Sequence, residues 1–286
     1  MLPRGFGEVA ERLRRSTVQV MSGSPRAPRA QGTGSGVVWS DDGTVITNAH
    51  VAIHDSARIQ LWDGRAVEAK VASRDARADL AMLKLDASEL HAIRWRDSRS
   101  LRPGELVLAV GNPLGFVGAL TTGVVHAAGA VNGLGRGRWV QASIRLAPGN
   151  SGGPLADVEG RVVGINTMVV AGGIALAVPS DTVVDFLKRG SRPALGVVVR
   201  AVADRVRGAG LLVLEVIQGS AAENASLLIG DLLVSVNGQR LASVDDLGDA
   251  LDGSKGGLLK IGFLRGAPGK EREVSVRFPA SRAEAA

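Results

Sequence analysis

The hexapeptide Gly149-Asn150-Ser151-Gly152-Gly153-Pro154 constrains this chain more than any other stretch. Glycines on both sides of one serine permit backbone bends closed to residues with a Cβ, so N–H groups can converge beside the serine oxygen. In such a turn the N–H groups of Gly149 and Ser151 are the natural donors for a developing oxyanion. A plain Gly-rich turn between strands has the same composition, so the reading depends on partners elsewhere. Two stand upstream. Thr47-Asn48-Ala49-His50-Val51 ends a β-type run containing Val45 and Ile46, which puts an imidazole at a strand end. Asp79 opens the apolar run Leu80–Leu85, so its carboxylate lies where the chain enters a core. A carboxylate, an imidazole and a hydroxyl together make a nucleophilic triad. His54, His91 and His126 lack such a setting, and Asp75 in its Arg-rich stretch reads as solvated and paired with Arg74 or Arg77.

The order His50, Asp79, Ser151 belongs to double β-barrels and differs from the order in other folds that carry this triad. The strand pattern agrees. Short β-type segments occur at 17–21, 37–40, 44–48, 58–61, 67–73 and 80–85, and again at 106–111, 120–127, 139–143, 153–156, 162–167 and 176–178. Two sets of six divide the triad between two barrels. A short helix over 5–16 is predicted from Val9 and Leu13 at helical spacing. A second helix starts at Asp181 with Ser180 as its N-cap, Lys188 and Arg189 in its last turn, and Gly190 to stop it. After a linker at Ser191-Arg192-Pro193, strands are expected at 197–202, 211–217 and 232–237, with a turn at Asn237-Gly238. Ser243 and Asp246 form a capping box for a helix through Leu251 that ends at Gly253.

Bulk properties narrow the remaining possibilities. At 286 residues and 45% hydrophobic content, the chain has room for two domains with separate cores. It has no cysteine, which excludes disulfides and thiolate metal sites, and four scattered histidines offer no metal cluster. We therefore expect no cofactor. The net charge of +6 is dispersed and no tyrosine is present, so nucleic acid is not an expected partner. No uninterrupted apolar stretch marks a signal peptide at the N-terminus, and the longest apolar run, Met168–Val178, includes Gly172 and Gly173 and is too short to span a bilayer. As given, the chain reads as cytoplasmic, or as periplasmic or otherwise extracytoplasmic if a leader is missing.

Together with Gly32-Thr33-Gly34-Ser35-Gly36-Val37 ahead of the histidine strand, these motifs resemble the HtrA/Deg-type serine proteases over residues 8–278. Alone, that glycine run suggests a phosphate loop, but a hairpin turn at Asp41-Asp42-Gly43 follows it instead of a helix. The resemblance implies a mainly β fold: a chymotrypsin-like double six-stranded β-barrel in a protease domain over 1–190, then a small α/β PDZ domain over 191–279 and a disordered tail over 280–286. It implies His50, Asp79 and Ser151 as catalytic residues, Gly149 and Ser151 as the oxyanion hole, and Leu146, Val169 and Val170 as the first specificity pocket. That apolar lining predicts cleavage after small or medium aliphatic residues. Leu195-Gly196-Val197 matches the family's carboxylate-binding loop, so a groove beside the Val197 strand and the Leu247 helix is expected to take C-terminal peptides. Unfolded or misfolded proteins are the implied substrates, and a trimer is implied through the N-terminal segment, with Phe6 and Val9–Leu13 as candidates.

The chain also departs from the family. Ala142-Ser143-Ile144-Arg145-Leu146-Ala147-Pro148 replaces the usual Thr-Asp-Ala-Ala-Ile-Asn-Pro, the loop at 169–173 is short, Ser226 stands where glycine is usual, and Ala194 replaces an aromatic residue. Arg136 or Arg138 could relay a PDZ signal to the oxyanion hole by ion pairing. An ATP-independent quality-control endopeptidase is the first functional reading. A chaperone-like or scaffold protein with a silent protease domain is the second.

Overall fold

The computed structural model describes residues 5–24, 27–112, 118–131, 134, 137–189, 194–204, 208–254, 257–266 and 271–278. The chain divides into two compact units, Met1–Gly190 and Ser191–Ala286. Gly190, the 191–193 linker, the 280–286 tail and Arg136 lie outside the described residues.

In the first unit, helix α1 (Gly7–Ser16) leads into six strands: β1 (Thr17–Ser24), β2 (Ala27–Ser40), β3 (Thr44–Thr47), β4 (Ser56–Gln60), β5 (Ala66–Asp75) and β6 (Leu80–Leu85). They close as a barrel in the order β1-β2-β3-β6-β5-β4. Alternation directs the closure: Val18 and Val20 of β1 point inward with Val38, Val45, Ile59 and Leu83. A two-residue strand, β7 (Arg94–Trp95), then precedes β8 (Leu106–Gly111), β9 (Ala119–Ala130), β10 (Arg138–Ser143), β11 (Pro154–Asp157), β12 (Arg161–Val169) and β13 (Ala175–Pro179). The last six run β11-β8-β9-β10-β13-β12, and β11 pairs with β12 to close the second barrel. The pattern did not reveal β7, which lies parallel to β12.

The barrels meet through a shared apolar layer. Val37, Ile46 and Leu80 leave the first barrel to join Leu108, Ile165 and Leu176 of the second, with Leu13 of α1 and Phe186 of helix α2 (Ser180–Arg189). Strand β3 is therefore buried on both faces, Val45 inside its barrel and Ile46 in the layer. Each such aliphatic side chain contributes roughly 1.5–3 kcal/mol on burial. Phe6 and Val9 pack on this layer and are partly buried by it. Ser180 is the first residue of α2 and not its cap; its hydroxyl donates to the Arg96 carbonyl and accepts from the Ser98 N–H. Arg138 pairs with Asp181 at 3.1 Å.

The second unit is a sheet ordered β14-β15-β16-β18-β19: β14 (Val197–Asp204), β15 (Gly208–Val216), β16 (Leu232–Val236), β18 (Leu258–Leu264) and β19 (Arg272–Arg277). The two-residue β17 (Gln239–Arg240) returns to β16 through the Asn237-Gly238 turn. Helix α3 (Ala221–Asn224) is short, and α4 (Val244–Gly253) begins with the Ser243–Asp246 capping box. Gly253 closes no helix by a left-handed turn: it is helical, and Ser254 is the cap residue. Leu195, Leu211, Leu233, Leu247 and Ile261 form the core. No helix among the described residues is long and apolar enough to cross a membrane.

Candidate active site

Three short turns carry the predicted triad. After β3, the Asn48 carbonyl accepts from the N–H groups of Val51 and Ala52, a tight turn that leaves His50 half exposed. Before β6, Asp79 adopts φ 52°, a left-handed conformation that Asp tolerates better than most residues. Two side chains hold it there. Asn48 Nδ2 donates to the Asp79 carbonyl at 2.9 Å, and the Asp75 carboxylate accepts from the N–H groups of Arg77 and Ala78 at 3.0 Å each. Asp75 is thus not solvated as its sequence context suggests; it is only 3% exposed because it closes this turn. Arg74 donates to the Ala52 and His54 carbonyls.

His50 Nδ1 lies 2.8 Å from Asp79 Oδ2 and 3.0 Å from Oδ1, and its N–H donates to Oδ1 at 3.1 Å. The hydrogen bond to Asp79 holds the imidazole pKa above its ordinary value. A second donor, the Thr167 hydroxyl, bonds Asp79 Oδ2.

The third turn presents Ser151. Gly149 (φ 103°) and Gly152 (φ 85°) take backbone conformations that a side chain disfavours. The Gly152 N–H donates to the Asn166 carbonyl, and the Gly153 N–H to the Asn150 carbonyl. Neither the Gly149 nor the Ser151 N–H meets a protein acceptor among the described residues. The Ser151 hydroxyl donates to the Thr167 carbonyl at 2.9 Å. Thr167 is therefore the joint of the site: its carbonyl receives Ser151 and its hydroxyl reaches the carboxylate that holds His50. Sequence reasoning missed it, since a threonine within a strand carries no local signal.

The expected pocket residues do not share one cluster. Leu146 is partly buried against the core of the second barrel, Val170 packs on the layer between the barrels, and Val169 is 49% exposed. Val170 opens a tight turn in which its N–H donates to the Ile174 carbonyl. In the second unit Leu195 is buried, Gly196 has φ 79°, and Val197 starts the edge strand β14 against which α4 packs. Ser226 adopts φ 58°, the conformation its usual glycine would take. No group of three His, Asp or Glu side chains among the described residues is placed to hold a metal ion.

Residues 34–165 match the trypsin-like peptidase domain family, and residues 212–265 match the PDZ domain family. A DegP-like periplasmic serine endoprotease of Pseudomonas putida strain F1 is 36% identical over 96% of this chain, which spans 62% of that relative's length. The serine protease HhoB of Synechocystis is 35% identical over 87% of this chain and 67% of its own. Among solved structures, an HtrA-type protease AlgW with a tripeptide superposes with TM-score 0.63 at 26% identity, over 96% of this chain and 97% of that one. The serine endoprotease from Yersinia pestis superposes with TM-score 0.62 at 27% identity, over 98% of this chain and 99% of that one. With its two closed barrels, its trypsin-like peptidase match, its PDZ match and these relatives, the chain belongs to the HtrA/DegP-like family of serine endoproteases.

Proposed function

We propose that the chain is an endopeptidase that works through an acyl-enzyme on Ser151. The observation that carries this is the unbroken link Ser151–Thr167–Asp79–His50, which joins a hydroxyl of the second barrel to an imidazole of the first. At rest the Ser151 hydroxyl donates to the Thr167 carbonyl; the mechanism requires it to turn from there to His50 Nε2. Ser151 Oγ then attacks the peptide carbonyl while His50 takes its proton. The N–H groups of Gly149 and Ser151 hold the oxyanion, and neither has a protein acceptor among the described residues, which leaves them available. Collapse returns the proton from His50 to the leaving amine. Water, deprotonated by His50, then releases the acid and restores Ser151. Asp79 keeps the imidazole in the Nδ1–H tautomer and stabilises the imidazolium.

Leu146, Val169 and Val170 are assigned to substrate selection, with small or medium aliphatic residues preferred before the scissile bond. Dominant Arg or Lys at that position in a peptide library refutes the assignment. The second unit is assigned to C-terminal peptides, which add as a strand to the free edge of β14 and place their carboxylate on Leu195-Gly196-Val197. Unfolded proteins are the proposed substrates, and the periplasm, named for the Pseudomonas relative, is the proposed compartment. A trimer through the N-terminal segment, with Phe6 and the helix around Val9–Leu13 as candidates, is proposed as well, and a light-scattering mass of one protomer dismisses it. The central test compares casein digestion and fluorophosphonate labelling by the wild type and Ser151→Ala. Loss of both in the variant is expected. Equal digestion by the two proteins leaves the scaffold reading in its place.

A further inference from the structure

Ser35 takes no part in the steps above, yet it is 0% exposed and three of its polar groups are bonded. Its N–H donates to the Ser151 carbonyl at 2.7 Å, and its carbonyl accepts from the Thr47 hydroxyl at 2.7 Å. Its Oγ accepts from the Asn112 N–H at 2.9 Å and donates to the Gly149 carbonyl at 2.7 Å. A hydroxyl has one hydrogen; with Asn112 donating to the oxygen, that hydrogen is directed at Gly149.

What this holds follows from peptide planarity, because each C=O is rigidly coplanar with the next N–H. The Ser151–Gly152 plane is fixed by Ser35 at its carbonyl and by Asn166 at its N–H. The Asn150–Ser151 plane, which carries one oxyanion donor, is fixed by the Gly153 N–H on the Asn150 carbonyl. The other donor lies on the Pro148–Gly149 plane, whose carbonyl meets no protein donor among the described residues. Its orientation rests on the neighbouring Gly149–Asn150 plane, which is held by Ser35 Oγ at one end and by the Asn150 N–H bond to Ala147 at the other. Between the two planes stands a glycine, the residue least able to resist rotation.

We propose that Ser35 is a positioning residue of the oxyanion hole, its buried hydroxyl fixing Gly149 so that the Gly149 N–H stays turned toward the substrate carbonyl. The proposal rests on the protease reading and adds a determinant outside the triad. Without the hydroxyl, the Gly149 carbonyl loses its partner and the preceding peptide is free to turn its N–H away.

The test is Ser35→Ala in the full chain, on a peptide anilide with valine before the scissile bond and on the matching peptide boronate, which forms a tetrahedral adduct with serine. Misplacing a catalytic group by about 1 Å costs up to about 100-fold, so kcat is expected to fall roughly 10- to 100-fold with KM changed less than about threefold. Boronate affinity falls in parallel with kcat/KM, whereas binding of the uncleaved peptide, measured in the Ser151→Ala background, stays constant. Should Ser35→Ala fail to fold, Ser35→Cys keeps the volume but donates weakly and is read in the same way, with a smaller loss. An unchanged kcat, a loss carried by KM, or undiminished boronate binding in a folded variant overturns the proposal alone. A wild-type chain that neither turns over peptide nor binds boronate overturns the protease reading and this proposal with it.

Discussion

Replacing Gly152 with alanine separates two effects that the nucleophile turn combines. A methyl built at Gly152 would lie 2.0 Å from the Ser35 carbonyl oxygen and 2.3 Å from the Thr47 hydroxyl, with φ at 85°. At Gly64 the dihedral is nearly the same, 88°, but no heavy atom lies within 4 Å. Gly64→Ala therefore incurs only the left-handed backbone cost, about 1–2 kcal/mol. Gly152→Ala incurs that cost together with a displacement of about 1 Å that strains the Thr47–Ser35 and Ser35–Ser151 hydrogen bonds, each contributing roughly 1 kcal/mol. A total of about 3–5 kcal/mol is expected once overpacking is included. All four tryptophans, Trp39, Trp62, Trp95 and Trp139, lie in the first unit, so urea denaturation followed by tryptophan fluorescence reports that unit. Moving the nucleophile by about 1 Å should also lower turnover by roughly 100-fold at temperatures where the variant is folded. If Gly152→Ala matches Gly64→Ala within about 0.5 kcal/mol and keeps wild-type turnover, the argument that β2 braces the nucleophile turn is wrong.

In the proposed mechanism His50 acts as a base only when neutral, and Asp79 holds its pKa above 6.5, so the acid limb of kcat/KM against pH should have its midpoint above 6.5. Stability from the pair is full below 6.5 and is lost as pH rises through the raised value; Asp79→Asn should move the limb down and cut turnover by about 10,000-fold. In the second unit a methyl at Gly196 would lie 2.2 Å from Ser220 Cβ, so Gly196→Ala should weaken the proposed C-terminal peptide binding at least about tenfold by fluorescence anisotropy. Arg265 grips the 1%-exposed Asp231 through two bonds of 2.7 Å, and Arg265→Met should destabilise this unit by about 3–5 kcal/mol in far-UV denaturation by removing the cation from a buried carboxylate that keeps the Leu228 N–H as a donor.

The features legible in the sequence are those a few residues write for themselves. The alternating valines of β1, the Ser243–Asp246 capping box and the left-handed pair Asn237-Gly238, at φ 48° and 79°, need only neighbouring positions to form. Strand β7 has two residues, too few to display a period. Asp75 misled because composition places a charged residue in solvent, whereas two N–H groups of its own turn supply the hydrogen bonds that make burial tolerable. Ser226 looked like a defect, yet it adopts the turn of a glycine at an expense of about 1–2 kcal/mol.

The proposed triad and its support follow different rules, and that difference decides what a sequence can disclose. His50, Asp79 and Ser151 each sit in a turn closed by its own neighbours, so the motif and the local geometry coincide. The groups that align these turns come from afar: Thr167 meets Asp79 across 88 positions, and Ser35 meets Gly149 across 114. Nothing adjacent to Thr167 requires a hydroxyl, because its donor is used on the far side of the cleft. At Ser35 the neighbours do leave a trace. A methyl at Gly34 would lie 2.7 Å from Val51 Cγ2 and 2.9 Å from the Ser151 carbonyl, and one at Gly36 would lie 3.0 Å from Val18, Val20 and Val45. The glycine run marks where β2 must touch both the histidine turn and the nucleophile turn. Its one serine marks where that contact has to carry a hydrogen bond.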